Sequence, residues 1–257
     1  MSAGRLASTL LAGAGLLLLI AAGAPQKRSG YLDASPETRA MQDEDASNPG
    51  FLWVQQGEAL WSQRAGSAAR SCADCHGGGA VSMRGVAVRY PVYDARLGRP
   101  ITLAGRIEQC RVERQGAPPL QPDSDTLLAL AAYVGLQSRG MPVRVAADGP
   151  AQPFYQAGKT LFAMRQGQLN LSCAQCHDDR AGQRLGGSVI PQGHPNGYPE
   201  YRLEWQSLGS LERRIRNCMV GVRAEPFADD SPDMVELELY LAVRSNGLAV
   251  ETPAVRP

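Results

Sequence analysis

The pattern C-x-x-C-H occurs twice in this chain, as Cys72-Ala73-Asp74-Cys75-His76 and as Cys173-Ala174-Gln175-Cys176-His177. From the composition alone, about 0.002 such motifs are expected. The spacing is the one that covalent haem c requires. Two thiols add across the two vinyl groups of one porphyrin, and the adjacent imidazole reaches the iron. A plain C-x-x-C redox pair has no need of the histidine, and a zinc site wants more ligands close by. The motifs predict two covalently attached haem c groups. Cys72, Cys75, Cys173 and Cys176 are the attachment residues, and His76 and His177 are iron ligands.

The remaining composition fits that prediction. Of six cysteines, four belong to the motifs, leaving only Cys110 and Cys218. No framework of structural disulfides is available, so the porphyrins must help to supply the core. Aromatic residues make up 6% of the 257-residue chain, a shortage that covalently held porphyrin would offset. The formal net charge of +1 gives no case for nucleic acid or for an anionic membrane as partner. At the N-terminus Arg5, the apolar run Leu10–Ala22 and the small residues Ala21-Ala22-Gly23-Ala24 form an export-signal pattern. The run is short for a bilayer span. Residues 1–24 are therefore expected to be a signal peptide removed on export to the periplasm, leaving no stable membrane span.

The second motif repeats the first 101 residues later, and the repeat extends beyond it. Gly57-Glu58-Ala59-Leu60-Trp61 aligns with Gly158-Lys159-Thr160-Leu161-Phe162. Leu103-x-x-Arg106-Ile107-x-x-Cys110 aligns with Leu211-x-x-Arg214-Ile215-x-x-Cys218. Ser124, Tyr133, Ser138 and Gly140 align with Ser231, Tyr240, Ser245 and Gly247. Helical periodicity is present at 51–64 and 154–165, and again after Ser124 and Ser231, where serine N-caps open apolar runs that end near Gly140 and Gly247. The expected fold is all-α: two tandem cytochrome c-like domains from an internal duplication. Residues 25–50 are expected to be an extended N-terminal segment, 51–143 the first domain, 144–153 a linker, and 154–257 the second domain with the active site. Residues 84–101 and 178–207, rich in Gly, Pro, Tyr and Arg, are expected to be long loops wrapping the haems.

An iron with histidine on one side needs a ligand on the other, or an open site. The methionines do not repeat between the halves: Met83 aligns with Arg184, Met141 with Leu248, and Met164 with Gln63. Cysteine does repeat. Cys110 and Cys218 each end an R-I-x-x-C motif, 34 and 41 residues after their own haem histidine. Ligation explains why both halves keep a thiol at one place, so Cys110 and Cys218 are expected as the distal metal ligands. A Cys110–Cys218 disulfide and a pair of inert buried thiols are the competing readings. Thiolate donates electron density and stabilises ferric iron, an odd choice for a simple electron shuttle.

From about Asn48 onward the chain resembles SoxA, the dihaem subunit family of the SoxAX cytochromes of bacterial thiosulfate oxidation. The resemblance rests on Ser82-Met83-Arg84-Gly85-Val86-Ala87, Leu136-Gln137-Ser138-Arg139-Gly140-Met141-Pro142, Gln192-Gly193-His194-Pro195-Asn196-Gly197, Arg213-Arg214-Ile215-Arg216-Asn217-Cys218 and Val222-Arg223-Ala224-Glu225-Pro226-Phe227. It implies an L-cysteine S-thiosulfotransferase that joins thiosulfate oxidatively to a cysteine of the SoxYZ carrier protein. Two electrons then leave through haem to an acceptor cytochrome c, and the SoxX monohaem cytochrome is the implied subunit partner. It also implies that Cys218 is both distal ligand and catalytic sulfur, often a persulfide, that Arg214 binds substrate, and that Cys110 is distal ligand of the first haem.

The residues support these roles only in part. Arg214 and Cys218 are i and i+4, so a helix would put them on one face. A guanidinium pairs well with sulfonate oxygens. Arg106 precedes Cys110 at the same spacing, however, so spacing alone does not choose between the two halves, and either arginine could equally serve a haem propionate. His194 lies in a Gly- and Pro-rich loop, where a backbone hydrogen bond and a part in shaping the second haem site are both open. Two other functions share the dihaem pattern: an electron carrier without its own chemistry, and a thiosulfate dehydrogenase that forms tetrathionate.

Overall fold

The computed structural model describes residues 26–257, and the expected export signal over residues 1–24 lies outside them. After a 3-10 turn at Gly30–Asp33 come α1 (Pro36–Asp43), α2 (Phe51–Ser62), α3 (Cys72–His76), α4 (Gly79–Ser82), β1 (Val92–Asp94), β2 (Arg99–Ile101), α5 (Leu103–Cys110) and α6 (Asp125–Leu136). The second half contains α7 (Gln152–Ala163), α8 (Cys173–His177), β3 (Arg184–Leu185), β4 (Ser188–Val189), β5 (Glu200–Arg202), β6 (Ser207–Gly209), α9 (Leu211–Gly221), α10 (Pro232–Arg244) and β7 (Ala254–Arg256). The helical fold expected from the sequence is present. Among the described residues no helix is long and apolar enough to cross a membrane.

Each half is built on one close helix crossing. The first helix, α2 or α7, lies across the last, α6 or α10. A Cβ placed on Gly57 would come within 2.1 Å of the Ala129 carbonyl oxygen, and one on Gly158 within 1.9 Å of that of Glu236. No larger residue lets the two backbones approach so closely. Tyr133 and Tyr240 occupy the same place beside these glycines. Around each crossing lies an apolar cluster. Val54, Trp61, Leu128 and Tyr133 form the first, and Phe162, Ile215, Met219, Met234 and Tyr240 the second.

The segments expected as loops contain two equivalent antiparallel ribbons. In β1–β2 Val92 pairs with Ile101, and in β5–β6 Glu200 pairs with Gly209. Neither strand pair is long enough to show alternating hydrophobicity, which is why periodicity missed them. Each ribbon crosses to the other half: β2 lies against α10, and β6 against α6. Leu208 of β6 is buried in the first core, Tyr93 stacks near Phe154, and Tyr201 near Trp53. Around the twofold-like axis Gly140 N–H donates to the Val250 carbonyl at 2.8 Å, and Gly247 N–H to that of Val143 at 3.0 Å.

Residues 26–50 are not extended as expected. They form the 3-10 turn and α1, both packed on β7, which itself joins β5 in parallel. Ser35 caps α1 by accepting from Thr38 N–H, and Pro36 is its first residue, so the capping signal was in the sequence. Residues 144–153 likewise include a 3-10 turn at Gly149–Ala151 leading directly into α7.

Between the halves lies a cavity of about 190 Å³. Glu212 and Glu238 line it, where the first half has Ala104 and Ala131. Glu238 is 8% exposed. Burial, followed by the nearby Glu212 and Asp230 carboxylates, raises its pKa well above the ordinary value. Burial and Asp230 push Glu212 up to about 7. Arg216, Asp123 and Glu108 are the other charged groups around the pair.

Two predictions follow from these packing features. Gly158→Ala overpacks the α7–α10 crossing and should cost about 1–3 kcal/mol in denaturant unfolding, more than the same change at solvent-facing Gly187. Acids with raised folded pKa values bind protons that the unfolded chain releases. Their contribution is therefore fully present below the ordinary carboxyl pKa of 4.5 and is lost as pH rises from there through the folded value, about 7 for Glu212. Glu238→Gln should flatten the fall in Tm between about pH 5 and 7 and leave the variant more stable than the parent at the upper end.

Candidate functional site

Both C-x-x-C-H motifs form single helical turns, and the same device starts each. Ser71 accepts from Asp74 N–H while the Asp74 carboxylate accepts from Ser71 N–H. Ser172 and Gln175 do the same in α8. With the turn closed, the two cysteines are i and i+3 and share a face, as one porphyrin's vinyl groups require.

The histidines differ between the halves. His177 Nδ1–H donates to the Pro191 carbonyl at 2.7 Å. Burial lowers the His177 pKa, with nearby Arg214 and Arg244 acting in the same direction. The ring is therefore neutral, and its remaining Nε2 lone pair is free for a metal. Gly193 (φ +70°) passes so close that a Cβ there would lie 3.1 Å from this ring. His76 is exposed and is flanked by the Trp61 ring at 5.8 Å.

The extra residues of the second half, including the β3–β4 hairpin, make up this covering loop. Gln192 pins it. Its side-chain amide accepts from Arg28 N–H at 2.8 Å and donates to the Gln26 carbonyl at 3.1 Å, while Arg244 donates to its backbone carbonyl at 3.1 Å. His194 donates from Nε2 to the Gln192 side-chain oxygen at 3.2 Å, so its bond is not to backbone. Burial, reinforced by Arg244 and Lys27, lowers its pKa to about 4. His194 belongs to the loop over His177 and is neutral.

Cys110 ends α5 and Cys218 lies in α9. Thr102 and Ser210 cap these helices by accepting from Gly105 and Arg213 N–H. Cys110 lies within electrostatic reach of Cys72 and Cys75, and Cys218 of Cys173. Both thiols are free, with no disulfide between the halves. Burial pushes the Cys173 thiol up to about 11, and Cys218 adds to the rise. Each half thus assembles two attachment thiols, a histidine and a third thiol from the facing helix. This donor set fits a haem c with sulfur opposite imidazole.

The structure separates the two R-I-x-x-C motifs, which spacing did not. Arg106 is held by Asp94, whose side chain is 7% exposed, and by Gln109 at 2.6 Å. The position of Asp94 in the second ribbon is taken by Arg202. Arg214 instead meets Glu204 at 3.2 Å, and these side chains are 35% and 47% exposed. Cys110 is half-buried and Cys218 exposed. The neighbouring Arg213 and Arg216 are turned to other acids: Arg213 to Asp123 at 3.8 Å, and Arg216 to Asp229 and Glu212. Asp94, Arg202 and Glu204 were missed in the sequence. Aligning Tyr90-Pro91 with Tyr198-Pro199 carries the repeat into the ribbons and finds them.

A family model for the SoxA/TsdA cytochrome c domain matches residues 56–143 and again 157–250. The chain belongs to the SoxA family. A SoxA subunit of L-cysteine S-thiosulfotransferase from Pseudaminobacter salicylatoxidans is 42% identical over 89% of this chain and 80% of its own length. One from Rhodovulum sulfidophilum is 41% identical over the same shares. The crystal structure of SoxXA from P. pantotrophus superposes with a TM-score of 0.86 at 37% identity, covering 89% of this chain and 86% of that one. Membership of this cytochrome c family implies covalently bound haem c.

If both donor sets carry haem, pyridine-haemochrome assay should find two haems per chain. Replacing Cys173 and Cys176 together by alanine should leave one, and that remaining haem should stay with the tryptic peptide of the first motif.

Proposed function

We propose that the chain is the dihaem catalytic subunit of a periplasmic L-cysteine S-thiosulfotransferase, with Cys218 as its reactive sulfur and Arg214 as its thiosulfate anchor. The contrast between the two R-I-x-x-C motifs carries this assignment. At Cys110 the arginine is neutralised by a buried carboxylate beside a half-buried thiol. At Cys218 the arginine has only an exposed partner and the thiol is open to solvent.

Each C-x-x-C-H turn would hold a haem c through its two cysteines, with His76 and Cys110 as the residues to ligate one iron and His177 and Cys218 the other. The haem supplies a centre that takes up electrons one at a time and passes them on. The chain's own residues do the rest. Arg214, one helical turn before Cys218, places the sulfonate end of thiosulfate so that its outer sulfur faces the Cys218 sulfur.

Coupling of the two sulfurs would join the Cys218 thiolate to thiosulfate and release two electrons, which the oxidised acceptor cytochrome c takes up. The thiolate of the carrier cysteine then attacks the outer sulfur of the conjugate. Cys218 departs as thiolate and the carrier keeps the thiosulfate group. The carrier thiol's proton goes to solvent, so charge and electrons balance. His177, oriented by its Nδ1–H bond to the Pro191 carbonyl, would offer its other ring nitrogen to the iron.

The protein's assembly partners are read as a SoxX-type monohaem cytochrome and a SoxYZ-type carrier, supported by the likeness to SoxXA and by the relatives' names. In the reconstituted complex with carrier and oxidised acceptor, Cys218→Ser should abolish conjugation while both haems stay covalently bound. Arg214→Ala should raise the KM for thiosulfate by about tenfold or more, whereas Arg106→Ala should leave it unchanged. Full activity of Cys218→Ser would overturn the assignment, and tetrathionate made without carrier would favour thiosulfate dehydrogenation.

A further inference from the structure

The two ribbons carry opposite charges at equivalent places. Asp94 closes the strand pairing of β1–β2 opposite Arg99, and Arg202 closes that of β5–β6 opposite Ser207. Two residues further on, Arg96 of the first turn corresponds to Glu204 of the second. In the first half Asp94 binds Arg106, and Arg96 turns outward to Glu113 at 2.9 Å. In the second half a single oxygen, Oε1 of Glu204, accepts from Arg202 Nε at 2.8 Å and from Arg214 Nη1 at 3.2 Å. That oxygen lies between two guanidiniums, one of which is the proposed thiosulfate anchor.

We propose that Glu204 is a displaceable carboxylate that occupies the anion site of Arg214 and Arg202 until an oxygen of the thiosulfate sulfonate replaces it. Its residue type sets how tightly the site takes a dianion. This rests on the reading of Arg214 as the substrate anchor.

Three observations make displacement inexpensive. Glu204 is 47% exposed, and an exposed ion pair is weak and readily exchanged. Arg202, with a side chain only 11% exposed, keeps a second partner in Glu200 at 3.1 Å, so release of Glu204 strands no buried charge. The turn does not depend on the ion pair either. Trp205 braces it, with the Arg202 guanidinium 5.3 Å and that of Arg213 4.2 Å from its ring centre. The first half lacks this arrangement because Asp94 sits on the strand beneath Arg106, where nothing from solvent replaces it.

The test compares Glu204→Gln with the parent in the full complex, under steady-state turnover and with sulfate as a non-reacting competitor. Glutamine keeps the shape and removes the charge that competes with the dianion. The KM for thiosulfate should fall about two- to fivefold, and the inhibition constant of sulfate should fall by the same factor, with the effect absent from kcat. A carboxylate that merely positions Arg214 would give the reverse, with both constants rising. Either a rise or no change in the two constants overturns the proposal. Failure of the underlying reading looks different: Arg214→Ala would then leave both constants at the parent value.

Discussion

The approach of α7 to α10 at Gly158 is the constraint on which the second half is built. Contact of the helix backbones leaves Phe162 and Tyr240 side by side, with ring centres 5.2 Å apart, and the Arg244 guanidinium 4.6 Å from the Phe162 ring. Arg244 in turn holds Asp178, the residue after His177, at 2.7 Å and reaches the Gln192 carbonyl of the covering loop. The crossing therefore fixes the motif helix and its loop. On its other side, Ile215 and Met219 of α9 pack into the same cluster, which leaves Arg214 and Cys218, about 100° round the helix, at its edge with Cys218 exposed. Helix geometry and one glycine thus determine where the Cys218 sulfur stands.

Duplication supplied two copies of that frame, and the differences between them separate their roles. The ribbons lock the halves together, Leu208 of the second being buried in the first core and Tyr93 of the first lying against Phe154 of α7. The copies were therefore free to diverge at exposed and lining positions without separating. The second copy acquired a longer loop over its histidine, a pair of glutamates in the shared cavity where the first has alanines, and a ribbon with its charges exchanged. In the first copy a buried aspartate satisfies the arginine beside the cysteine. That satisfied pair suits a site that only holds a cofactor, whereas the exposed pair at Arg214 suits one that must exchange an anion.

Much of this was legible in the sequence, for identifiable reasons. Helical periodicity and the serines at 124 and 231 are local signals, and they placed α2, α6, α7 and α10 correctly. The repeat in R-I-x-x-C identified both thiols that face the motifs. What the sequence did not reveal depends on residues far apart. Three-residue strands have no usable periodicity, so the ribbons looked like loops. The pairing of Asp94 with Arg106 spans two elements, and Glu204 gains meaning only from its distance to Arg214. The arginines at 213 and 216 flank Arg214 in the sequence, yet ion pairs with Asp123, Asp229 and Glu212 turn them elsewhere.

Where sulfur bonds form is the central question, and peptide mapping of the complex quenched during oxidation of thiosulfate addresses it most directly. Trypsin releases Cys218 in the peptide Asn217–Arg223 and Cys110 in Ile107–Arg111, so the two thiols are read separately. The account predicts thiosulfate-derived sulfur on the Cys218 peptide, removable by carrier thiol, and an unmodified Cys110 peptide. Sulfur on Cys110, or none on Cys218 while the carrier is being conjugated, would contradict it.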